Sequence, residues 1–497
     1  MMHIMDHTNI AGPWFTVILV SITVIIIVSK VSRARTASPK MRRPSPPVAD
    51  GAPFIGVIPA ILTKGLLAVL FDQHLKLGSV FTLRFFGLLK VTFFVGPEVS
   101  SHFFRANESE LSIGDMYKFT VPIFGEGVEY AVDHDTRNEQ HRFYAEILRP
   151  AKLRCHVEPM ICEVEDYFAK WGECGTADFR HEVDCVLMLI ASRCLLGKEV
   201  RENMMDKVPK LLHDLMGGFH LISVFFPYLP TPAHRRRDKA RAKLREIFSR
   251  IIKSRKRSGQ FADDMMQFLI DSRYKDGRPT TESEVTGMLF GLLFAGQHTS
   301  SVAITWTAAL LLNHRECLRA AEEEQDQMVR KHGSRIDYDI LMEMGVLHRS
   351  IKETLRLHPL APMMLRRVRT GFTLRSKEGC EYDIPKGHIV ASPGGVNNLL
   401  PSIYKDPHVF DPDRFSPGRE EDRVGGDFAY TSFGAGKHPC LGEGYAYLQM
   451  KVILSHLLRN FELELVSPFP KPENMMSMAP QGKVLVRYKR RQLIHHA

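Results

Sequence analysis

Cys440 is the residue whose setting in this sequence most favours chemistry. It stands in Phe433–Ala446, FGAGKHPCLGEGYA, just before a stretch with apolar residues at helical spacing (Leu448, Val452, Ile453, Leu457). A cysteine at a helix start favours its thiolate, because free amides and the helix dipole stabilise negative charge. Gly434, Gly436 and Gly442 let the backbone come close to another group. Taken alone, the segment equally describes a buried cysteine in a tight turn. A second set of groups is Glu353 and Arg356 in IKETLRLHP, with Arg414 in PDRF. Residues i and i+3 are neighbours on one helix face, so the pair either takes Arg414 into a buried bidentate cluster or forms a solvated face.

The spacing F-x-x-G-x-x-x-C-x-G resembles the haem-binding loop of the cytochromes P-450. The E-x-x-R pair, PDRF (Pro412–Phe415) and AGQHTS (Ala295–Ser300) stand in that family's order. The resemblance implies a mostly α fold with a smaller β part, the cytochrome P-450 fold. It implies haem b held through Cys440 as the axial thiolate, with Phe433 and Gly434 in the same loop. A thiolate donates electron density to the iron and favours O–O cleavage of dioxygen. Electrons are expected from NADPH through a flavoprotein reductase, since no dinucleotide fingerprint occurs in the chain. Glu353, Arg356 and Arg414 are expected to lock the haem-loop scaffold. Ala295 and Gly296 leave room for dioxygen, and Thr299, with His298 and Ser300, is expected to deliver protons through water. The alternative for a helical Thr is a bond to its own i−4 carbonyl.

AGQHTS with His298 resembles the sterol 14α-demethylase branch, and so does YKFTVPIFGEGVEY (Tyr117–Tyr130). FPYLPTPAHRRRD and FDPDRFSPGREED look like its plant members. That likeness places Tyr117, Arg366 and His438 on haem propionates, with Arg137 or Arg142 assisting. It places Tyr117, Phe119, Phe124, Tyr130, Phe219, Phe290, Ala295 and Met364 around the substrate. Departures from the branch fall at Ala131, Met216-Gly217-Gly218, Leu221, HPLAPMMLRR and SPGGVNNLLP, with Lys437 in the haem loop. Their apparent clustering at the pocket leads to an expected function in plant triterpenoid biosynthesis: hydroxylation or epoxidation of a cyclic C30 triterpene such as a β-amyrin-type pentacycle. The alternative is 14α-demethylation of an obtusifoliol-type sterol, with one methyl oxidised three times and released as formate. A dioxygen-independent haem-thiolate isomerase or dehydratase fits less well because Ala295, Gly296 and Thr299 are retained; a sterol binder without catalysis is the remaining reading, marked by a reduced carbon monoxide spectrum lacking the thiolate Soret band.

These groups need a large scaffold. The chain has 497 residues, 44% hydrophobic and 25% charged, an ordinary globular balance. Its eight cysteines are too few for a disulfide framework, and a mean hydropathy of −0.13 excludes a polytopic membrane protein. Ile10–Ser29 is a twenty-residue run without charge, followed by Lys30, Arg33, Arg35, Lys40, Arg42 and Arg43. About twenty apolar residues cross a bilayer, and the flanking bases predict a single-pass anchor with the rest cytosolic, at the endoplasmic reticulum. The expected domains are anchor 1–29, basic Pro-rich linker 30–58 and monooxygenase domain 59–497. The net charge of +10 suits the membrane surface and an acidic reductase. The basic run His234–Arg257 is read as a solvated helix face and not a nucleic-acid site, since no binding module accompanies it. A helix is predicted over Thr281–Asn313, with strands near Val80–Phe85, Val91–Val95 and Phe372–Asp383.

Overall fold

The computed structural model describes residues 43–491 apart from 53–54, 86–88, 220, 260–261 and 473–477. The anchor expected at 10–29 lies outside the described residues. Among those described, no single helix is long and apolar enough to cross a membrane.

The helices that position the site are α1 (His134–Ile147), α2 (Pro150–Phe168), α3 (Pro232–Ser258), α4 (Glu282–Asn313), α5 (Arg315–His332), α6 (Gly345–Leu357) and α7 (Glu443–Asn460). The 32-residue α4 is the central one. At 1.5 Å per residue it runs about 48 Å, enough to cross the whole body. Thr281 and Glu284 close its first turn reciprocally: the Glu284 amide donates to Thr281 Oγ1 (3.2 Å) and the Thr281 amide to Glu284 Oε2 (2.8 Å). This capping box satisfies two donors that a helix start leaves unpaired. Apolar residues surround α4 on most sides, so it is buried along its second half from Ser300 to Leu311.

The β part is smaller. Strands β1 (Val80–Phe85), β2 (Leu89–Phe94), β3 (Leu111–Ser112), β4 (Met364–Val368) and β5 (Ile389–Ser392) form one sheet in the order β1-β2-β5-β4-β3. A separate three-stranded sheet pairs Phe461–Leu465 and Cys174–Asp178 with Leu485–Arg490. The body starts before residue 59. Thr82 donates to the Pro47 carbonyl (2.8 Å) and Ala49 to that of Thr82 (2.9 Å), while Ala49 and Val57 enter the apolar core. Sheet pairing therefore takes up the last part of the stretch expected as a linker.

The basic run also differs from expectation. On α3, Arg237 and Arg255 are buried at 1% and 3% exposure. Arg255 bonds both Asp264 oxygens (2.8 Å) and both Glu199 oxygens (2.6 and 2.7 Å). His234 of the same run is buried too and Arg241 is half buried, while the other bases stay exposed.

Glu353, Arg356 and Arg414 meet in the interior. Arg356 forks onto Glu353 (2.7 and 2.8 Å), and Arg414 Nε reaches Glu353 Oε1 at 2.9 Å. Each has side-chain exposure of 1% or less. Removing one partner from such a cluster leaves buried charge uncompensated, a cost of about 3–5 kcal/mol. Glu353→Ala is expected to lose about that much stability in urea unfolding; a variant within about 1 kcal/mol of the parent would refute a structural role for the cluster.

Candidate active site

The cysteine loop is a two-residue-strand hairpin, His438 opposite Ala435 and Pro439 opposite Gly434. Gly434 and Gly436 take φ of 71° and 62°, which L side chains rarely adopt. At Gly436 a Cβ would also collide with the Phe104 carbonyl oxygen, the same oxygen that accepts from the Lys437 amide (3.0 Å). The Cys440 amide closes the turn on the Phe433 carbonyl (2.7 Å), and Phe433 packs on Tyr447 of α7 (5.3 Å between centroids). α7 begins three residues after the cysteine. Cys440 itself keeps an exposed face, with protein crowding its other sides. Burial pushes its thiol pKa up, against the opposing pull of the Gly442 and Glu443 amides. The amides alone do not ionise the thiol; a cationic metal at the sulfur would, since coordination deprotonates a thiol outright.

Beside the loop lies a cluster richer in cations than in anions. Arg366 on β4 is 2% exposed; its guanidinium donates to the Phe103 carbonyl and lies over the Phe103 ring. Burial pushes its pKa down to about 10. Arg137 on α1 is 5% exposed, 3.2 Å from Glu108. Burial, with Arg366 and Arg137 nearby, pushes His438 down to about 4, so it is neutral at pH 7. Arg366 also acts on half-buried Tyr117, whose hydroxyl burial keeps protonated. Glu108 is the carboxylate that balances Arg137, and it is also taken up by Ser112 Oγ (2.6 Å) and the Ile113 amide (3.1 Å). Among the described residues Arg366 meets the Phe103 carbonyl and ring and no carboxylate within ion-pair distance; such a guanidinium, beside neutral donors and a soft sulfur ligand, fits a planar metal cofactor that carries carboxylates.

Arg142 does not join this cluster. It donates to the Arg273 carbonyl (2.9 Å) and is half exposed. Five helical positions turn it about 140° away from Arg137 at about 3.6 residues per turn.

The rest of the cleft is aromatic. Rings follow one another from Tyr130 to Tyr117 (5.2 Å), Phe119 (6.1 Å), Phe219 (5.7 Å), Phe294 (5.1 Å) and Phe124 (5.5 Å). Phe294 on α4 joins Phe219 to Phe124 in this wall and was not among the expected residues. Its signal was present: it lies one turn before His298 and next to Ala295. Phe290, which was expected there, is 1% exposed and packs on Phe248 of α3 (5.8 Å), one turn deeper in the core. Met364 is half buried at the start of β4.

On α4, Ala295 and His298 are exposed to the cleft. Thr299 Oγ1 donates to the Ala295 carbonyl (2.5 Å), the local bond open to any helical threonine. Ser300 faces the other way. It is 2% exposed and its hydroxyl accepts from Gln449 Nε2 of α7 (2.5 Å), so it ties two helices and does not line the cleft.

Comparison with known proteins adds identity to this geometry. The family model described as Cytochrome P450 matches residues 46–493. The obtusifoliol 14-alpha demethylase of Sorghum bicolor is 55% identical over 450 residues, 90% of this chain and 91% of that one. The sterol 14-demethylase of Arabidopsis thaliana is 53% identical over 476 residues, 96% and 97% of the two chains. A cyanobacterial protein solved with retinoic acid bound superposes with a TM-score of 0.77 at 22% identity, covering 91% of this chain and all of that one, a likeness of fold.

These relatives overturn the expectation of triterpene hydroxylation or epoxidation, because proteins alike over nine-tenths of the chain are named for sterol 14-demethylation. The structure supplies a physical reason. Two departures sit in scaffold packing, not on the aromatic wall. Gly395 lies against the Leu67 side chain. Asn398, fully buried, bonds Ser432 (3.0 Å).

Gly436→Ala is expected to destabilise the loop by at least about 1 kcal/mol and to lower haem retained on purification, because it adds left-handed strain to a steric clash. Haem content and unfolding midpoint equal to the parent's would contradict this reading of the loop.

Proposed function

The chain belongs to the cytochrome P450 family, a haem-thiolate monooxygenase with electrons from a reductase partner, and on that premise we propose that it removes the 14α-methyl group of an obtusifoliol-type plant sterol. The observation that carries the reading is identity of 53–55% over nine-tenths or more of the chain to plant proteins of that name.

The side chains have consistent tasks. Cys440 ligates the haem iron, and Arg366, Arg137, His438 and Tyr117 orient the cofactor's carboxylates. When bound, the haem supplies dioxygen activation under a thiolate donor. The wall from Tyr117 to Phe294 takes a rigid polycycle, for which apolar rings with few polar handles are suited. Thr299, with its own hydrogen on the Ala295 carbonyl, offers its oxygen as an acceptor for water on the cleft side. His298, one residue before it on the exposed face, handles protons beside it. Ala295 and Gly296 keep that face open, and nothing beyond the adjoining turn of α4 lies within 4 Å of where a Gly296 Cβ would stand.

A single-pass anchor at Ile10–Ser29, at the endoplasmic reticulum with the domain cytosolic, belongs to the same reading. Its support is the uncharged run and the bases that follow it.

Purified protein with reductase and NADPH is expected to convert obtusifoliol to the 14-demethylated product with formate, leaving a β-amyrin-type pentacycle unchanged. Efficient oxidation of the pentacycle with obtusifoliol untouched would contradict the proposal. The full chain is expected in the carbonate-resistant membrane fraction of a eukaryotic host, and a chain starting at residue 43 in the extractable one; resistance of both would remove the anchor from this reading.

A further inference from the structure

Glu129 is held in a conformation that suits glycine, at φ 52°. A non-glycine residue stays there only when its surroundings over-determine it. They do. Its amide donates to Gln140 Oε1 (2.9 Å), and Gln140, fully buried, is fixed by the Gly127 carbonyl (2.8 Å) and Tyr274 Oη (3.0 Å). The residue is 8% exposed. This places a carboxylate in the interior at the cost of backbone strain.

Its two oxygens face different ways. Oε2 lies 3.4 Å from Nε2 of His141, a side chain 37% exposed at the surface of α1. Oε1 lies 3.5 Å from where a Cβ on Gly291 of α4 would stand, and Tyr144 Oη lies 3.3 Å from that same point. Tyr144 also donates to the Met288 carbonyl (3.4 Å). Its burial and the neighbouring Glu129 raise its pKa well above the ordinary value, so it stays a neutral donor. The groups facing Glu129 are thus His141 and Tyr144 from α1, Tyr130 from its own turn, and the Gly291 backbone from α4.

Gly291 shares a helix face with Ala295, His298 and Thr299, at i, i+4, i+7 and i+8. The separation from Gly291 to Thr299 is about 12 Å along the axis at about 1.5 Å per residue. We propose that Glu129 is a proton-relay residue, taking protons from solvent at His141 and passing them, through water along this face of α4, towards Thr299. The overall reaction needs them: a C–H substrate, dioxygen, two protons and two electrons give an alcohol and water, the electrons coming from the reductase. Glu129 gains one proton on the His141 side, loses one on the α4 side and is unchanged after each transfer. The inference rests on the monooxygenase chemistry and not on which sterol is oxidised.

The test measures peroxide released per NADPH, the solvent deuterium isotope effect and the unfolding midpoint for full-length protein with haem and reductase. Glu129→Gln and His141→Gln are expected to raise the peroxide fraction several-fold and enlarge the isotope effect, with Glu129→Asp intermediate. Glu129→Gly, which relieves the backbone, is expected to be uncoupled with a midpoint at or above the parent's. Parental coupling and isotope effect in Glu129→Gln overturn the proposal, and so does a Glu129→Gly midpoint that falls along with coupling, which assigns the residue a structural role. Parental turnover of obtusifoliol is scored separately, so a wrong substrate and a wrong relay give different results.

Discussion

The buried carboxylate of Glu353 shared between Arg356 and Arg414 is the interaction on which the site's geometry depends. Buried charge is tolerated only when every member is hydrogen-bonded, and this cluster meets that demand by gathering backbone. Arg356 takes the carbonyls of Asn398 (2.8 Å) and Pro407 (2.7 Å), and Arg414 takes that of Lys405 (2.9 Å) and the Glu421 carboxylate (2.6 Å). An irregular stretch is thereby pinned to α6. Asn398 passes the constraint to Ser432 (3.0 Å), whose hydroxyl returns to the Leu355 carbonyl on α6 (2.8 Å). The cysteine hairpin starts two residues later. Cys440 thus owes its place to a charge cluster it does not touch.

Two kinds of surface adjoin at the site that this scaffold positions, with Arg137 over the Tyr130 ring where they meet. One is the sulfur with its amides and the cation-rich group of Arg366, Arg137 and neutral His438. The other is the ring wall and the small-residue face of α4. The first suits a planar metal cofactor with acidic groups, and the second suits a large apolar molecule. Ser300 and Gln449 join α4 to α7 from behind, so the face carrying Thr299 and the helix following Cys440 hold a fixed relation.

Much of this was legible in the sequence where local chemistry decides it. The helix predicted over Thr281–Asn313 is α4, glycines marked the hairpin, and the i, i+3 pair marked the charge cluster. What escaped depends on rotation about a helix and on partners distant in sequence. Arg137 and Arg142, Thr299 and Ser300, Phe290 and Phe294 are alike in composition and differ only in the direction they face. Arg237 and Arg255 hid within a basic run because their burial is set by Pro227, Asp264 and Glu199. Departures such as Gly395 and Asn398 looked like pocket changes because their scaffold contacts are made to residues as far away as Leu67 and Ser432. The reasoning from departures to a new substrate failed for that reason.

The central claim is that the pinned hairpin presents Cys440 to iron as a thiolate. The carbon monoxide difference spectrum of the reduced, purified protein reads this directly. A thiolate ligand gives a strongly red-shifted Soret band, expected here as the main species and stable over time at neutral pH. A band at the position given by imidazole or a neutral thiol, as the main species in freshly reduced protein, would contradict it.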